Sequence, residues 1–438
     1  MEGEEGPGTS SPESAGEGLR LHRWLDPPLL GAAMIMAAVG FAQYSPTAAL
    51  ADVAEHFGAL RDGDTLEEQA GLPGTVLGAG LAVIRLSALA ALPLAGLADR
   101  LGRRRTLLTW ATLGLLVAVA AAGSPSYWWF VAAFALARPL LTAADTVGEV
   151  VAAEHTSVAD RAKAIALMSA SYGVGAGLVA VVRAGLGSAL GFRGVFALAA
   201  LPLALVWLAA RLVTEPSRYA AGAAGSVARL RPVPVLGAVR SGRRSRLAVL
   251  AALAFATGLV IGPVNTFLFV YGENVLDASS VVTGGLVVAA GPVGLGGLVL
   301  GRLLADRIGR RPAAAGALVA LCGAGMVTYS GAVGGLAAGY LLGVFAGSAY
   351  STPAITLTNE LFPTSARASV AGWLVVAGVL GATSGLLLVG AIADARDSFT
   401  AAIAVVCVPV AFSAALVALL PETRGLELEQ SAPEPDAA

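Results

Sequence analysis

Apolar residues in this chain come in runs rather than in alternation. Twelve runs stand out, at about 28–51, 74–98, 105–123, 127–153, 163–190, 193–213, 246–272, 280–304, 312–331, 333–359, 367–393 and 398–421. Each is near or above the roughly 20 residues a helix needs to cross a hydrocarbon core. The pattern predicts an all-α membrane protein with twelve transmembrane helices. The widest break, 214–245, holds Thr214-Glu215-Pro216, prolines at 232 and 234 and a basic run from Arg240 to Arg246. It reads as a linker between two six-helix bundles, 28–213 and 246–421. Residues 1–27 read as a disordered tail, with Gly, Ser, Pro and Glu and no apolar signal-peptide core. Residues 422–438 form a short acidic tail.

The polar breaks repeat. Asp99-Arg100-Leu101-Gly102-Arg103-Arg104 recurs as Asp306-Arg307-Ile308-Gly309-Arg310-Arg311, 207 residues later. Glu154 with Arg161 matches Glu360 with Arg367 at an offset of 206, and Glu215 matches Glu422 at 207. Three pairs in one register mean two copies of one helical unit. Duplicated helical halves are the architecture of secondary transporters, whose binding site lies between the repeats. Pro46 and Pro263 interrupt the first helix of each half, where the lost backbone hydrogen bond kinks it.

Composition agrees with the runs: of 438 residues, 56% are hydrophobic and 13% charged, against about 25% charged in soluble domains. A net charge of −1 gives no footing for nucleic-acid binding. Basic residues concentrate in alternate connections, among them Arg100, Arg103 to Arg105, Arg161, Lys163, Arg243, Arg244, Arg307, Arg310, Arg311 and Arg367. The positive-inside rule then puts both termini in the cytoplasm of a cell (inner) membrane protein. Cys322 and Cys407 lie inside apolar runs and read as small hydrophobes, not a disulfide or metal site. No Cys/His cluster and no Ser/His/Asp constellation is visible, so neither a cofactor, a metal nor an enzyme is expected.

The doubled tract resembles the signature of the major facilitator superfamily between its second and third helices. Leu97 to Arg104 and Leu304 to Arg311 match, whereas Ala95 and Arg302 stand at the leading glycine, with Gly96 and Gly301 beside them. Glu360-Leu361-Phe362-Pro363-Thr364-Ser365-Ala366-Arg367 and Pro421-Glu422-Thr423-Arg424-Gly425 resemble the sugar-porter and metabolite–proton-symporter branches. The charges at the inner surface are expected to form a cytoplasmic gate that closes one side of the molecule. Its members are Asp99, Arg100, Arg103, Arg104, Glu154, Arg161 and Glu215 in one half, and Asp306, Arg307, Arg310, Arg311, Glu360, Arg367 and Glu422 in the other.

Charges inside the membrane are costly, about 2.5–3.5 kcal/mol each at mid-bilayer on insertion scales, so they mark function or structure. Arg85 lies mid-way along the second run and Arg183 within the fifth. Arg138, Thr142, Asp145 and Glu149 share one face of the fourth helix by their spacing. The resemblance implies that helices 1, 4, 7 and 10 line the central cavity. That adds Gln43, Tyr44, Asn265 and Tyr350 as candidate ligands, with Asp145 and Glu149 as candidate proton carriers. Counting Arg85, Arg138 and Arg183 against Asp145 and Glu149 leaves one positive charge, which favours an anionic solute.

The expectation is a monomeric, proton-coupled symporter of a small organic solute in the lipid bilayer. The fifth helix has Gly173, Gly175 and Gly177 but no Gly-Pro, so it lacks the pattern by which the superfamily's antiporters resemble one another. A drug or secondary-metabolite efflux antiporter is the alternative within transport. A non-transporting sensor of the same fold is the alternative outside it.

Overall fold

The computed structural model describes residues 26–58, 65–157, 160–215 and 241–424. Most of both tails and most of the 214–245 linker lie outside the described residues. Twelve helices among them are long and apolar enough to cross a membrane. In the first half they are α1 (Pro27–Ala48), α2 (Gly74–Leu101), α3 (Arg103–Gly123), α4 (Tyr127–His155), α5 (Lys163–Leu186) and α6 (Gly191–Ala209). In the second they are α7 (Arg244–Thr266), α8 (Ser280–Ile308), α9 (Arg310–Thr328), α10 (Val333–Leu361), α11 (Ser369–Arg396) and α12 (Phe399–Leu419). Each coincides with one predicted run, and no strand occurs among the described residues.

Local chemistry sets the ends. The α2–α3 and α8–α9 turns pass through Gly102 and Gly309 at φ +98° and +107°, a region that costs an L side chain strain and glycine none. The Ser126 and Ser398 hydroxyls accept the backbone N–H groups of Trp129 and Ala401 at the starts of α4 and α12, satisfying donors that a helix start leaves open. Leu201, Trp207 and Phe412 are exposed on the flanks, as helices facing lipid allow.

The halves are built alike: α1 packs on α5 as α7 packs on α11. Glycine brings these backbones together. A Cβ at Gly175 would fall 1.9 Å from the Ala37 carbonyl oxygen, and one at Gly381 would fall 2.0 Å from that of Phe255. Small residues at such crossings are how helices associate where lipid removes the hydrophobic drive. Gly301, one place before the expected leading glycine of the second motif, fills that role on α8, since a Cβ there would lie 2.3 Å from the Ala349 oxygen.

The halves meet along α2–α11 and α5–α8. At the first contact a Cβ on Gly78 would lie 2.4 Å from the Leu386 oxygen, and at the second one on Gly284 would lie 3.0 Å from that of Ala180. One end of the bundle carries the two Arg-rich turns and is called the motif face here. The opposite face carries the short helices Leu50–Phe57 and Leu66–Ala70 and the turns after α7 and α11.

Candidate functional site

At the motif face each repeat ties together three helix ends of its own half. Glu215 accepts the backbone N–H groups of Arg103 and Arg104 at the start of α3, and Glu422 accepts those of Arg310 and Arg311 at the start of α9. A carboxylate at a helix N-terminus satisfies orphan donors and meets the positive end of the helix dipole. Arg103 pairs with Asp99 at 2.7 Å and Glu154 at 3.3 Å, and Arg310 pairs with Asp306 at 3.6 Å and Glu360 at 3.4 Å. Arg104 donates to the carbonyls of Val213 and Ala210, both at 2.7 Å, and Arg311 donates to Ala418 at 2.5 Å. Thr423 donates its hydroxyl to Glu360. Arg367 donates to the Asn359 and Phe362 carbonyls, which close α10. Arg100 and Arg307 are exposed, and the buried Nε of Arg161 has no partner.

None of these hydrogen bonds or ion pairs between described residues joins the two sets in this conformation. Arg100, Arg161 and Arg307 apart, the residues form two staples, one within each half. The physical reason is that their carboxylates are spent on N–H groups and guanidinium groups of their own half. Burial would raise the Glu422 carboxyl, but the N–H groups of Arg311, Arg310, Arg424 and Thr423 bring it below its ordinary value. Its stabilisation is therefore complete above the usual carboxylate range and is lost as pH falls through the lowered value. Glu422→Ala is expected to cost about 0.5–2 kcal/mol, the range for losing a helix cap. The loss should show as a lower melting temperature near pH 7 that converges with the parent at acid pH.

Hydrogen bonds and ion pairs between described residues that cross the halves lie at the opposite face. Arg183 on α5 holds Asp52 through Nε and Nη2 at 2.7 and 2.6 Å, and Glu273 through Nη1 and Nη2 at 2.7 and 2.5 Å. Asp52 belongs to the first half. Glu273 belongs to the second, in a π-helical turn, Val270–Val275, that follows α7, and it also accepts the Thr283 hydroxyl from α8. The Arg183 side chain is only 3% exposed. Asp394 at the end of α11 caps α2 by accepting the N–H groups of Gly74 and Thr75 at 2.6 and 2.8 Å. Asp397 accepts the N–H of Leu66, and Asn274 donates to the Ala51 and Ala70 carbonyls.

Between these faces the α4 charges meet α1, α2 and α5. Arg138 donates to the Gln43 carbonyl at 3.4 Å, and Tyr172 donates its hydroxyl to the Gln43 side-chain oxygen at 3.4 Å. Arg138 and Tyr172 are the electrostatic neighbours of Arg85. Asp145, half-buried on the same face of α4, stands between Glu149 and Arg138. Arg138 and Asp145 form no direct ion pair among the described residues. Three buried atoms here lack a hydrogen-bond partner: Arg138 Nε, Gln43 Nε2 and Thr142 Oγ1. Buried polar groups are almost always satisfied, so three such atoms around one residue mark this cluster as a candidate site. Tyr44 packs edge-on to Phe269 beside Tyr340.

A cavity of about 440 Å³ lies toward the motif face from mid-depth, lined by Arg85, by α7, α10 and α11, and by Tyr350. Asn265 is not on it and donates instead to the Ile261 carbonyl of its own helix at 3.1 Å. Gln43, Tyr44, Arg138, Asp145 and Glu149 do not line it either, and Arg183 is engaged by Asp52 and Glu273 at the opposite face. The count of three arginines against two acids is thus corrected to Arg85 and Arg138 against Asp145 and Glu149. Asp52 and Glu273 were missed in the sequence, although a lone arginine within a run demands acids, and both lie just beyond the first helix of a half. Tyr172 had no such signal.

A family model described as Major Facilitator Superfamily matches residues 30–385 and again 294–437. No curated protein matches the sequence. Among solved structures, the chain is similar to the inward-open conformation of the xylose transporter XylE from E. coli. The TM-score is 0.69 at 18% identity, over 92% of this chain and 98% of that one. It is also similar to a D-xylose-proton symporter, with a TM-score of 0.68 at 19% identity over 92% and 99%. A bacterial homolog of the human lysosomal transporter Spinster, inward-facing and occupied, gives 0.67 at 16% identity over 92% and 97%.

Proposed function

This chain belongs to the major facilitator superfamily, and from that premise we propose that it is a proton-coupled symporter of a small organic anion. In this reading the motif face is cytoplasmic, because the basic connections gather there, and both termini lie on that side of a cell membrane. The conformation is then inward-facing: the Arg183 cluster shuts the outer side, and the cavity at Arg85 lies on the inner side. Binding residues are Gln43, Tyr44, Arg85, Arg138 and Tyr350, while Asp145 and Glu149 carry the proton.

The observation that supports it is the set of partnerless buried donors around Arg138. A carboxylate placed among Arg138, Gln43 and Thr142 would satisfy donors that no protein atom satisfies, and charge-assisted hydrogen bonds are the strong ones. The balance of charge supports coupling. With Asp145 and Glu149 ionised, they and the two arginines Arg85 and Arg138 are neutral together, and one proton on either acid leaves a positive cluster for an anion.

The test is transport by the purified protein in proteoliposomes with a pH-sensitive dye inside. Adding an organic acid outside is expected to acidify the lumen faster than in protein-free vesicles. Alkalinisation on solute entry would identify an antiporter instead, and an unchanged signal across a broad panel of acids and neutral solutes would end the proton-coupled reading.

A further inference from the structure

The second half of the cavity carries information that the charges do not. Its walls on α7, α10 and α11 are formed mainly by apolar side chains such as Leu250, Ile261, Ile355, Leu374 and Val379. The two threonines among them offer no free donor. Thr257 donates its hydroxyl to the Leu253 carbonyl at 2.7 Å, and Thr358 donates to that of Ala354 at 2.9 Å. Tyr350 stands beside Thr257. A second carboxylate buried against this wall would find no cation, and a polyol would find only the two threonine oxygens and Tyr350 for its several hydroxyls, which disfavours both.

Arg85 is the charged residue lining the cavity. It is half-buried, and it makes no ion pair or hydrogen bond with a described residue. The charged group that acts on it is another cation, Arg138. A guanidinium withdrawn from water beside a like charge needs an anion. The volume of about 440 Å³ falls within the range of small-molecule sites, about 300–1,000 Å³.

We infer that the ligand is a monoanionic organic acid with a hydrocarbon body, its carboxylate on Arg85 facing Arg138 and its body against the apolar wall of α7, α10 and α11. This rests on the reading of the cavity as a solute-transport site and gives that solute its chemical class. One half of the duplication supplies the charge and the other supplies the apolar surface. The asymmetry between the repeats then selects the substrate.

The experiment is competition against radiolabelled 3-phenylpropanoate bound to the full-length protein in lipid nanodiscs, with empty nanodiscs subtracted. Competitors are propanoate, butanoate, pentanoate and hexanoate, then gluconate and succinate, then xylose and 3-phenylpropanol. Each added methylene from propanoate to hexanoate is expected to tighten competition roughly four-fold, with gluconate and succinate at least ten-fold weaker than hexanoate. Arg85→Gln is expected to weaken 3-phenylpropanoate at least ten-fold with little change for 3-phenylpropanol. Arg85→Lys should recover part of the loss, which separates a lost charge from a misfolded variant.

Equal competition by gluconate or succinate would overturn the hydrocarbon body and leave the organic-anion reading standing. Specific binding of radiolabelled xylose with none of 3-phenylpropanoate would overturn both. Full affinity in Arg85→Gln would overturn the placement of the carboxylate. A panel from which nothing binds would overturn the inferred class.

Discussion

Replacing Glu273 by Gln is expected to open the face that the Arg183 cluster closes, so that reagents reach α1 from that side roughly ten to a hundred times faster. The effect depends on which half owns each charge. Arg183 and Asp52 both belong to the first half, and only Glu273 lies in the second. Glu273→Gln therefore cuts the ion pair between halves while leaving Arg183 paired with Asp52 and the Asp394 and Asp397 caps in place. Hydrogen bonds to charged groups contribute about 1.5–3 kcal/mol, and 1.4 kcal/mol is a factor of ten in a population. Arg183→Ala is the harsher change, because removing one partner of a buried pair costs about 3–5 kcal/mol. The measurement is labelling of Tyr44→Cys by a membrane-impermeant maleimide in oriented vesicles. Cys322 and Cys407 are buried, so their background labelling should be low. Asp52→Asn serves as the control, since it keeps the Arg183–Glu273 bridge and should stay closed. Equal labelling of the parent and Glu273→Gln, or opening by Asp52→Asn as large as that by Glu273→Gln, would refute this account of the closed face.

The fold was legible because its signals are local and repeated. Twelve apolar runs became twelve helices, and the Asp-Arg-x-Gly-Arg-Arg tract marked the same turn in both halves. What those charges touch was less legible. Sequence offset brings Glu154 and Glu215 into register with Glu360 and Glu422, but it is silent on whether a carboxylate meets its own half or the other. Only the packing shows that Glu215 and Glu422 cap α3 and α9. Arg183 shows the same limit from the opposite direction. Composition counted it with the cavity because it lies inside a run, yet Asp52 and Glu273 are brought to it by a short helix and a π-helical turn that no periodicity announces. On α4 the helical period was enough: Arg138, Thr142, Asp145 and Glu149 share a face as their spacing required. Asn265 lay on a helix of the predicted cavity set, but its amide is spent one turn back along α7.

Asp145→Asn is expected to abolish accumulation driven by a pH gradient while leaving exchange of solute across the membrane intact. The charge cluster beside the cavity contains Arg85, Arg138, Asp145 and Glu149, and an anion binds best when one acid carries a proton. Binding of proton and anion must then strengthen each other by equal factors, because linkage is reciprocal. Asparagine holds the site permanently in the form without the Asp145 charge. Anion affinity should accordingly lose its dependence on pH in the variant, and the proton should no longer travel with the solute. One pH unit corresponds to about 1.4 kcal/mol, so coupling to one proton permits the parent about ten-fold accumulation per unit of gradient, whereas the variant should only equilibrate. Proteoliposomes separate the two activities: counterflow of labelled solute reads exchange, and uptake under an imposed gradient reads coupling. Asp145 stands between Arg138 and Glu149, while Glu149 lies one turn nearer the motif face. Glu149→Gln is thus expected to slow uptake without uncoupling it. If Glu149→Gln equilibrates solute and Asp145→Asn still accumulates it, the proton rides on Glu149, and the arginines recruit the anion through the lower acid of the same helical face.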